Sequence, residues 1–244
     1  MASISLQNVS VHFPVYGAGA NSIKKTVAAS VSGGRFGKET GVTVVQALKD
    51  INIELKSGDR VGLIGQNGAG KSTLLRTLAG IYEPASGRFE RIGSVASLID
   101  PSLGIEADAT GFENIMLRGL VMGLNKREID ELTPEICDFS GLAEHLNMPV
   151  RTYSTGMAMR LAFSISTAVK ADILLMDEWL SVSDAEFKAK AEKRMQDVVA
   201  QSGILVLASH SPRLIRKECN MVIRLEQGRI VDIKRAEDRD FQTV

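Results

Sequence analysis

The sequence predicts an α/β fold with a helical lobe inserted into it, and three observations predict it. First, an apolar, β-prone run, Arg60–Ile64 (RVGLI), leads through a glycine-rich loop into Ser72–Leu78 (STLLRTL), whose leucines fall at helical spacing. Second, the apolar runs ILLMDE (Ile173–Glu178) and ILVLASH (Ile204–His210) flank a helical pattern over 184–201, as buried strands alternate with helices in a parallel sheet. Third, between 111 and 147 apolar residues recur at three- and four-residue steps: Ile115, Leu117, Leu120, Val121 and Leu124, then Ile129, Leu132 and Ile136.

The remaining elements follow in order. Residues 2–13 (ASISLQNVSVHF) alternate apolar and polar, as a half-buried strand does. Residues 14–43 are rich in Gly, Ser and Ala with weak periodicity, and read as an insertion or long loop with a short helix near 22–30. Strands resume at 44–45 and 51–55, and Lys56-Ser57-Gly58-Asp59 makes a turn. A helix is expected over 157–169, strands over 172–177 and 203–208, and a hairpin over 221–233 around Glu226-Gln227-Gly228. The expected organisation is one domain over 1–244, with the insertion at about 14–43 and the helical lobe at about 100–155.

Composition bounds the function. The chain has 244 residues, 44% hydrophobic and 24% charged, an ordinary globular balance. Lys+Arg and Asp+Glu are both 29, and a formal net charge of zero argues against nucleic acid as a partner, whose phosphates need many cations. Cys137 and Cys219 have neither metal-ligand nor disulfide-framework spacing, which suits reduced thiols in the cytosol. The N-terminus MASISLQNVS lacks the apolar region of a signal peptide. The longest apolar window, 157–176, is broken by Arg160, Lys170 and Asp172, short of the roughly 18 residues of a membrane span. Membrane contact is therefore expected to be peripheral or through a partner.

The chemistry concentrates in LIGQNGAGKSTLL (Leu63–Leu75), which carries the G-x-x-x-x-G-K-[ST] pattern. Gly65, Gly68 and Gly70 lack Cβ, so backbone N–H groups from Gly65, Gln66, Asn67, Gly68, Ala69, Gly70 and Thr73 can approach a phosphate at a helix N-terminus. Lys71 reaches the outer phosphates and Ser72 offers a hydroxyl to Mg²⁺. A carboxylate at the end of a core strand lies where α/β sheets bind ligands. Asp177 is thus placed to hold Mg²⁺ and Glu178 to orient an attacking water as general base; two surface acids at a strand end is the alternative. His210 ends a strand at the same sheet edge and can hydrogen-bond a γ-phosphate, or else caps or faces solvent.

These pieces, in this order, resemble the ATP-binding cassette superfamily over nearly the whole chain. The resemblance implies a P-loop NTPase core with an antiparallel β subdomain and a helical subdomain, and ATP and Mg²⁺ as ligands. The family's signature, Leu-Ser-Gly-Gly-Gln, is matched to YSTGM within Tyr153–Ser164; Ser154 and Gly156 keep the phosphate-touching positions, Arg160 keeps the basic one, and Thr155 and Met157 depart. Read from residues alone, Ser154 or Thr155 can cap a helix beginning near Met157. The resemblance also implies a head-to-tail homodimer, each ATP held between the P-loop of one subunit and the signature of the other. Asp184 matches the loop that crosses this interface. Phe13, or alternatively Tyr16, matches the aromatic that stacks on adenine. No glutamine stands in Ser97–Gly104 where the family has one beside Mg²⁺, and Asp100 is the nearest polar substitute.

The cues YSTGM, TGFENI and the insertion after VHFPVYG look most similar to the ATPase subunits that export capsule, O-antigen or teichoic acid through a separate membrane permease. A carbohydrate-binding domain, which some of those subunits carry after the cassette, is not expected here. The resemblance places the protein on the cytoplasmic face of the membrane, docked on the permease. Lys24 and Lys25 in the insertion could add contacts with anionic headgroups at about 1 kcal/mol each, too little to anchor a protein. Repair cassettes carry a long coiled coil and ribosomal ones pair two cassettes; neither is seen, nor is the Asn-Lys-x-Asp of a GTPase.

Overall fold

A computed structural model describes residues 1–15, 36–39, 42–99, 104–178 and 185–238. The chain divides into two compact units, Met1–Gly93 with Leu175–Glu178 and Gly203–Val244, and Ser94–Leu174 with Trp179–Ser202.

The first unit holds two sheets. One is antiparallel, in the order β2-β3-β1-β5, from β1 (Ser3–Val15), β2 (Phe36–Glu39), β3 (Val42–Lys56) and β5 (Ser86–Ile92). Leu6 pairs with Ile53 and Val11 with Leu48, so their apolar faces coincide and are buried. The register slips around Asn8, whose backbone is left-handed (φ 50°). Asn8 and Asn52 close that bulge: the Asn8 N–H donates to Asn52 Oδ1 at 2.9 Å, and Asn52 Nδ2 donates to Asn8 Oδ1 at 3.2 Å.

The other sheet runs β10-β9-β4-β8-β7 and is built on β4 (Arg60–Ile64). β4 lies parallel to β8 (Ile204–Ala208) on one side and to β9 (Met221–Glu226) on the other. Buried on both faces, β4 and β8 read as continuous apolar runs. β10 (Arg229–Arg235) closes the hairpin with β9. The end of β7 (Ile173–Asp177) joins β8, since the Glu178 N–H donates to Ala208 O at 2.8 Å. α1 (Lys71–Leu78) follows β4, and its buried Leu74, Leu75 and Leu78 face the core. Gly62 is glycine because a Cβ there would meet Ile215 Cγ2 at 2.7 Å.

The second unit is mainly helical. Leaving β6 (Val95–Leu98), the chain forms α2 (Gly111–Val121), α3 (Lys126–Ser140), α4 (Thr155–Ala168) and α5 (Ala185–Gln201). Capping boxes open α2 (Thr110 with Glu113) and α3 (Asn125 with Glu128). Both donors of Thr110 bond Glu113, first its backbone N–H and then its hydroxyl, and hold that carboxyl below the ordinary value. Ile115, Ile129, Ile136, Leu146, Leu161 and Ile165 pack into the core of this unit.

Several elements differ from the sequence expectation. Residues 36–39 and 42–43 are strand rather than loop, and β3 is one strand rather than two. β5, β6 and α6 (Pro212–Glu218) were not expected at all. The short helix expected near 22–30, Lys24 and Lys25 lie outside the described residues, as do Tyr16, Asp100 and Asp184.

Candidate functional site

The loop between β4 and α1 has little choice of residue. Gly65 sits at φ 147°, and a Cβ there would lie 2.3 Å from Leu225 O; Gly70, the residue capping α1, sits at φ 113° with Ala47 O 3.1 Å from where its Cβ would be. No side chain caps the start of α1, and no acidic residue stands in its first turn. The first backbone N–H groups of a helix have no partner within it, so this end of α1 favours an anion.

Lys71, the first residue of α1, is 8% exposed. Its ammonium donates to Gly65 O at 2.7 Å and to Gln66 O at 3.3 Å, and lies 3.5 Å from His210 Nε2. An ammonium has only donors, so that last contact requires a lone pair on Nε2. Ser72, one residue on, donates from Oγ to Asp177 Oδ2 at 2.5 Å.

Asp177 ends β7 and Glu178 follows it. Glu178 is left-handed (φ 68°), a conformation that costs a non-glycine residue roughly 1–3 kcal/mol. Its N–H bond to Ala208 O holds the backbone there. Its carboxylate accepts from two successive residues after β8: Oε1 from the His210 N–H at 3.0 Å, and Oε2 from the Ser209 hydroxyl at 3.2 Å.

These groups share a cleft of about 280 Å³, lined by Val45, Ala47, residues 67–73, Asp177, Glu178 and His210. Lys71, Ser72, Asp177, Glu178 and His210 are therefore brought together as the sequence expects. Gly65 and Gln66 form the inner turn of the loop and offer their carbonyls to Lys71. Phe13 is not in the lining. It stands on β1 opposite Val45 of β3, and its ring meets Tyr82 edge-on at 4.9 Å. Sequence reasoning missed Val45, Ala47, Tyr82 and Ser209. Nothing marks the first two before β3 is folded against the loop, whereas Ser209 stood in plain view beside His210.

In the helical unit, Ser154 caps α4: its Oγ accepts from the Met157 N–H at 3.2 Å, as the capping argument predicts. Ser154, Thr155 and Gly156 are exposed, and the one atom within 4 Å of a Cβ built at Gly156 is Ser154 Oγ, at 3.9 Å. Packing among the described residues gives no reason for glycine at 156.

Comparison with known proteins places the chain in a family. A model of the family described as ABC transporter matches residues 48–181. The chain is 47% identical over 233 residues to the O-antigen export system ATP-binding protein RfbE of Yersinia enterocolitica, covering 95% of this chain and 98% of that one. It is 40% identical over 186 residues to the O-antigen export system ATP-binding protein RfbB of Myxococcus xanthus, covering 76% of this chain but 43% of that longer protein. Among solved structures, a dimeric ATP-binding cassette in a post-hydrolysis state with ADP and Pi superposes with a TM-score of 0.68 over 96% of this chain and 99% of that one; at 18% identity this shows a shared fold.

Proposed function

The chain belongs to the ABC transporter family, and we propose that it is the ATP-hydrolysing subunit that drives export of a lipid-linked polysaccharide of the O-antigen class through a separate permease. The observation that carries this is the cleft in which Lys71, the Ser72–Asp177 pair, Glu178 and His210 meet at the start of α1. The names of the two export relatives support the polysaccharide assignment.

In this reading the N–H groups of the loop and of the first turn of α1 cradle the β- and γ-phosphates. Lys71 gives up its carbonyl partners for phosphate oxygens. Ser72 and Asp177 bring a hydroxyl and a carboxylate within 2.5 Å, a hard-oxygen set that fits Mg²⁺ and would hold it. When bound, the ion neutralises charge on the phosphates. Glu178 accepts a proton from the attacking water as it adds to the γ-phosphorus and the bond from that phosphorus to the β–γ bridging oxygen breaks, giving ADP and inorganic phosphate, and His210 hydrogen-bonds a γ-phosphate oxygen. Phe13 and Tyr82 provide aromatic surface on the β1 side for the adenine. Asp100 takes the place of the family's glutamine near the metal.

The exposed cap of α4 supplies the other half of the reaction. Ser154 and Gly156 of one protomer contact the γ-phosphate bound by its partner, and Asp184 crosses the same interface, giving a head-to-tail homodimer closed by ATP. Among the described residues no helix is long and apolar enough to cross a membrane. In this reading the permease carries the glycan and holds this subunit at the cytoplasmic face.

Glu178→Gln tests the reading. It should slow hydrolysis by about 10²-fold or more, as loss of a general base does, and accumulate an ATP-bound dimer by light scattering. A variant that stays monomeric with Mg-ATP refutes the shared site. The permease assignment is checked by co-purification, with lipid-linked glycan expected to stimulate the ATPase rate of the complex.

A further inference from the structure

We propose that Ser209 is a positioning residue for Glu178, so that hydrolysis depends on its hydroxyl although Ser209 is not among the residues that line the cleft. The inference rests on the role given to Glu178 above.

The geometry leaves the hydroxyl little freedom. Ser209 is 3% exposed, so solvent does not compete for it. A serine hydroxyl has one proton to give and two lone pairs to fill. The Ser211 N–H donates to Ser209 Oγ at 3.1 Å, and the Ser209 proton is then left to Glu178 Oε2 at 3.2 Å. Ser211 is itself fixed as the cap of α6, its Oγ accepting from the Leu214 N–H at 3.4 Å. A chain of donors thus runs from the start of α6 through Ser209 to the carboxylate. The His210 N–H takes Oε1. With one donor on each oxygen, the carboxylate plane is set by two points rather than one.

An exposed glutamate needs this. Glu178 is exposed, and its side chain alone would sample many rotamers. The left-handed backbone and the Ala208 bond fix where the side chain starts, and the two donors fix where it ends. The backbone donor cannot be removed by a side-chain change, whereas the Ser209 donor can. A general base works when held within hydrogen-bond reach of the proton it takes, and small misplacements reduce the rate without changing substrate affinity. Serine therefore serves at 209 for its hydroxyl.

The test is a cycle on the dimer-forming full chain with Mg-ATP. Ser209→Ala should lower kcat about tenfold with KM for ATP unchanged within about twofold, the pattern of a contact that acts on the chemical step. Ser209→Thr, which retains the hydroxyl, should recover most of the rate. In the Glu178→Gln background, Ser209→Ala should have almost no further effect in single-turnover rates, because residues acting through one another are not additive. If Ser209→Ala costs the same factor in both backgrounds, or raises KM with kcat intact, Ser209 does not act through Glu178 and the inference falls. If Glu178→Gln hydrolyses ATP at the wild-type rate, the base assignment fails instead, which is a separate result.

Discussion

Ser72 Oγ and Asp177 Oδ2 are hydrogen-bonded at 2.5 Å although 105 residues separate them. One is the second residue of α1 and the other ends β7, so the bond joins two elements of the first unit within the lining of the cleft. Ser72→Ala removes the donor and one hard oxygen ligand together. ATP affinity of the wild type should fall severalfold when Mg²⁺ is chelated, while that of Ser72→Ala should be weak with or without the ion, and hydrolysis should drop by about 10²-fold. Titration of a fluorescent ATP analogue with and without EDTA measures this. A variant that keeps the full Mg²⁺ response would remove Ser72 from the metal's ligands.

Gly65 and Gly68 have the same residue type for different reasons. At Gly65 a Cβ would lie 2.3 Å from a backbone carbonyl that cannot move without breaking β9; at Gly68 (φ 75°) the space is open and the conformation is the sole penalty. Gly68→Ala should therefore cost about 1 kcal/mol of stability, and Gly65→Ala more than about 2 kcal/mol, from strain and overlap together. Denaturant unfolding of the two variants gives the comparison directly.

The legible parts of this molecule are those whose environment is uniform. β8 is buried throughout and β4 and β7 are buried except at their ends, so β8 is apolar throughout and the other two are apolar apart from Arg60 and Asp177 at those ends, and the loop between β4 and α1 needs glycines that sequence displays. β5 was missed because SGRFERI is exposed almost throughout and owes its conformation to pairing with β1, from Ser3 opposite Ile92 to Gln7 opposite Arg88. β2 is likewise created by β3. α6 could have been found: Ser211 followed by Pro212 is a cap and first-turn pair. The site shows the same division. Lys71, Asp177 and His210 have recognisable neighbours in sequence, while the bond from Ser209 to Glu178 exists after β7 and β8 are side by side.

Gly156 separates a folding role from a binding role by sign. It lies in the first turn of α4, exposed, with no neighbour closer than 3.9 Å to a built Cβ and no left-handed backbone. Gly156→Ala should stabilise the chain by about 0.5 kcal/mol, because alanine is the better helix former. If the α4 cap meets the partner's nucleotide, the same change should lower ATPase activity at least about tenfold and weaken ATP-driven dimerisation. Thermal unfolding and analytical ultracentrifugation with Mg-ATP read the two effects separately. A variant that is more stable and fully active would show that nothing approaches this glycine in the assembly.

Cys219 predicts a pH dependence that belongs to the fold rather than the site. Burial, reinforced by the negative charge of Glu218 and partly offset by Arg60, pushes its thiol from the ordinary 9.0 up to about 12. The unfolded chain ionises this thiol above pH 9 while the folded chain keeps it protonated, so the unfolded state binds fewer protons between those values. Stability from this group is therefore whole below pH 9 and is lost as pH rises toward 12, at up to about 1.4 kcal/mol per unit. Cys219→Ala removes the ionisation and leaves a cavity, so it should be less stable than wild type at pH 7. The gap between the two should then narrow steadily from pH 9 to pH 11 in denaturant titrations. A gap independent of pH would mean that the thiol ionises in the folded chain as readily as in the unfolded one.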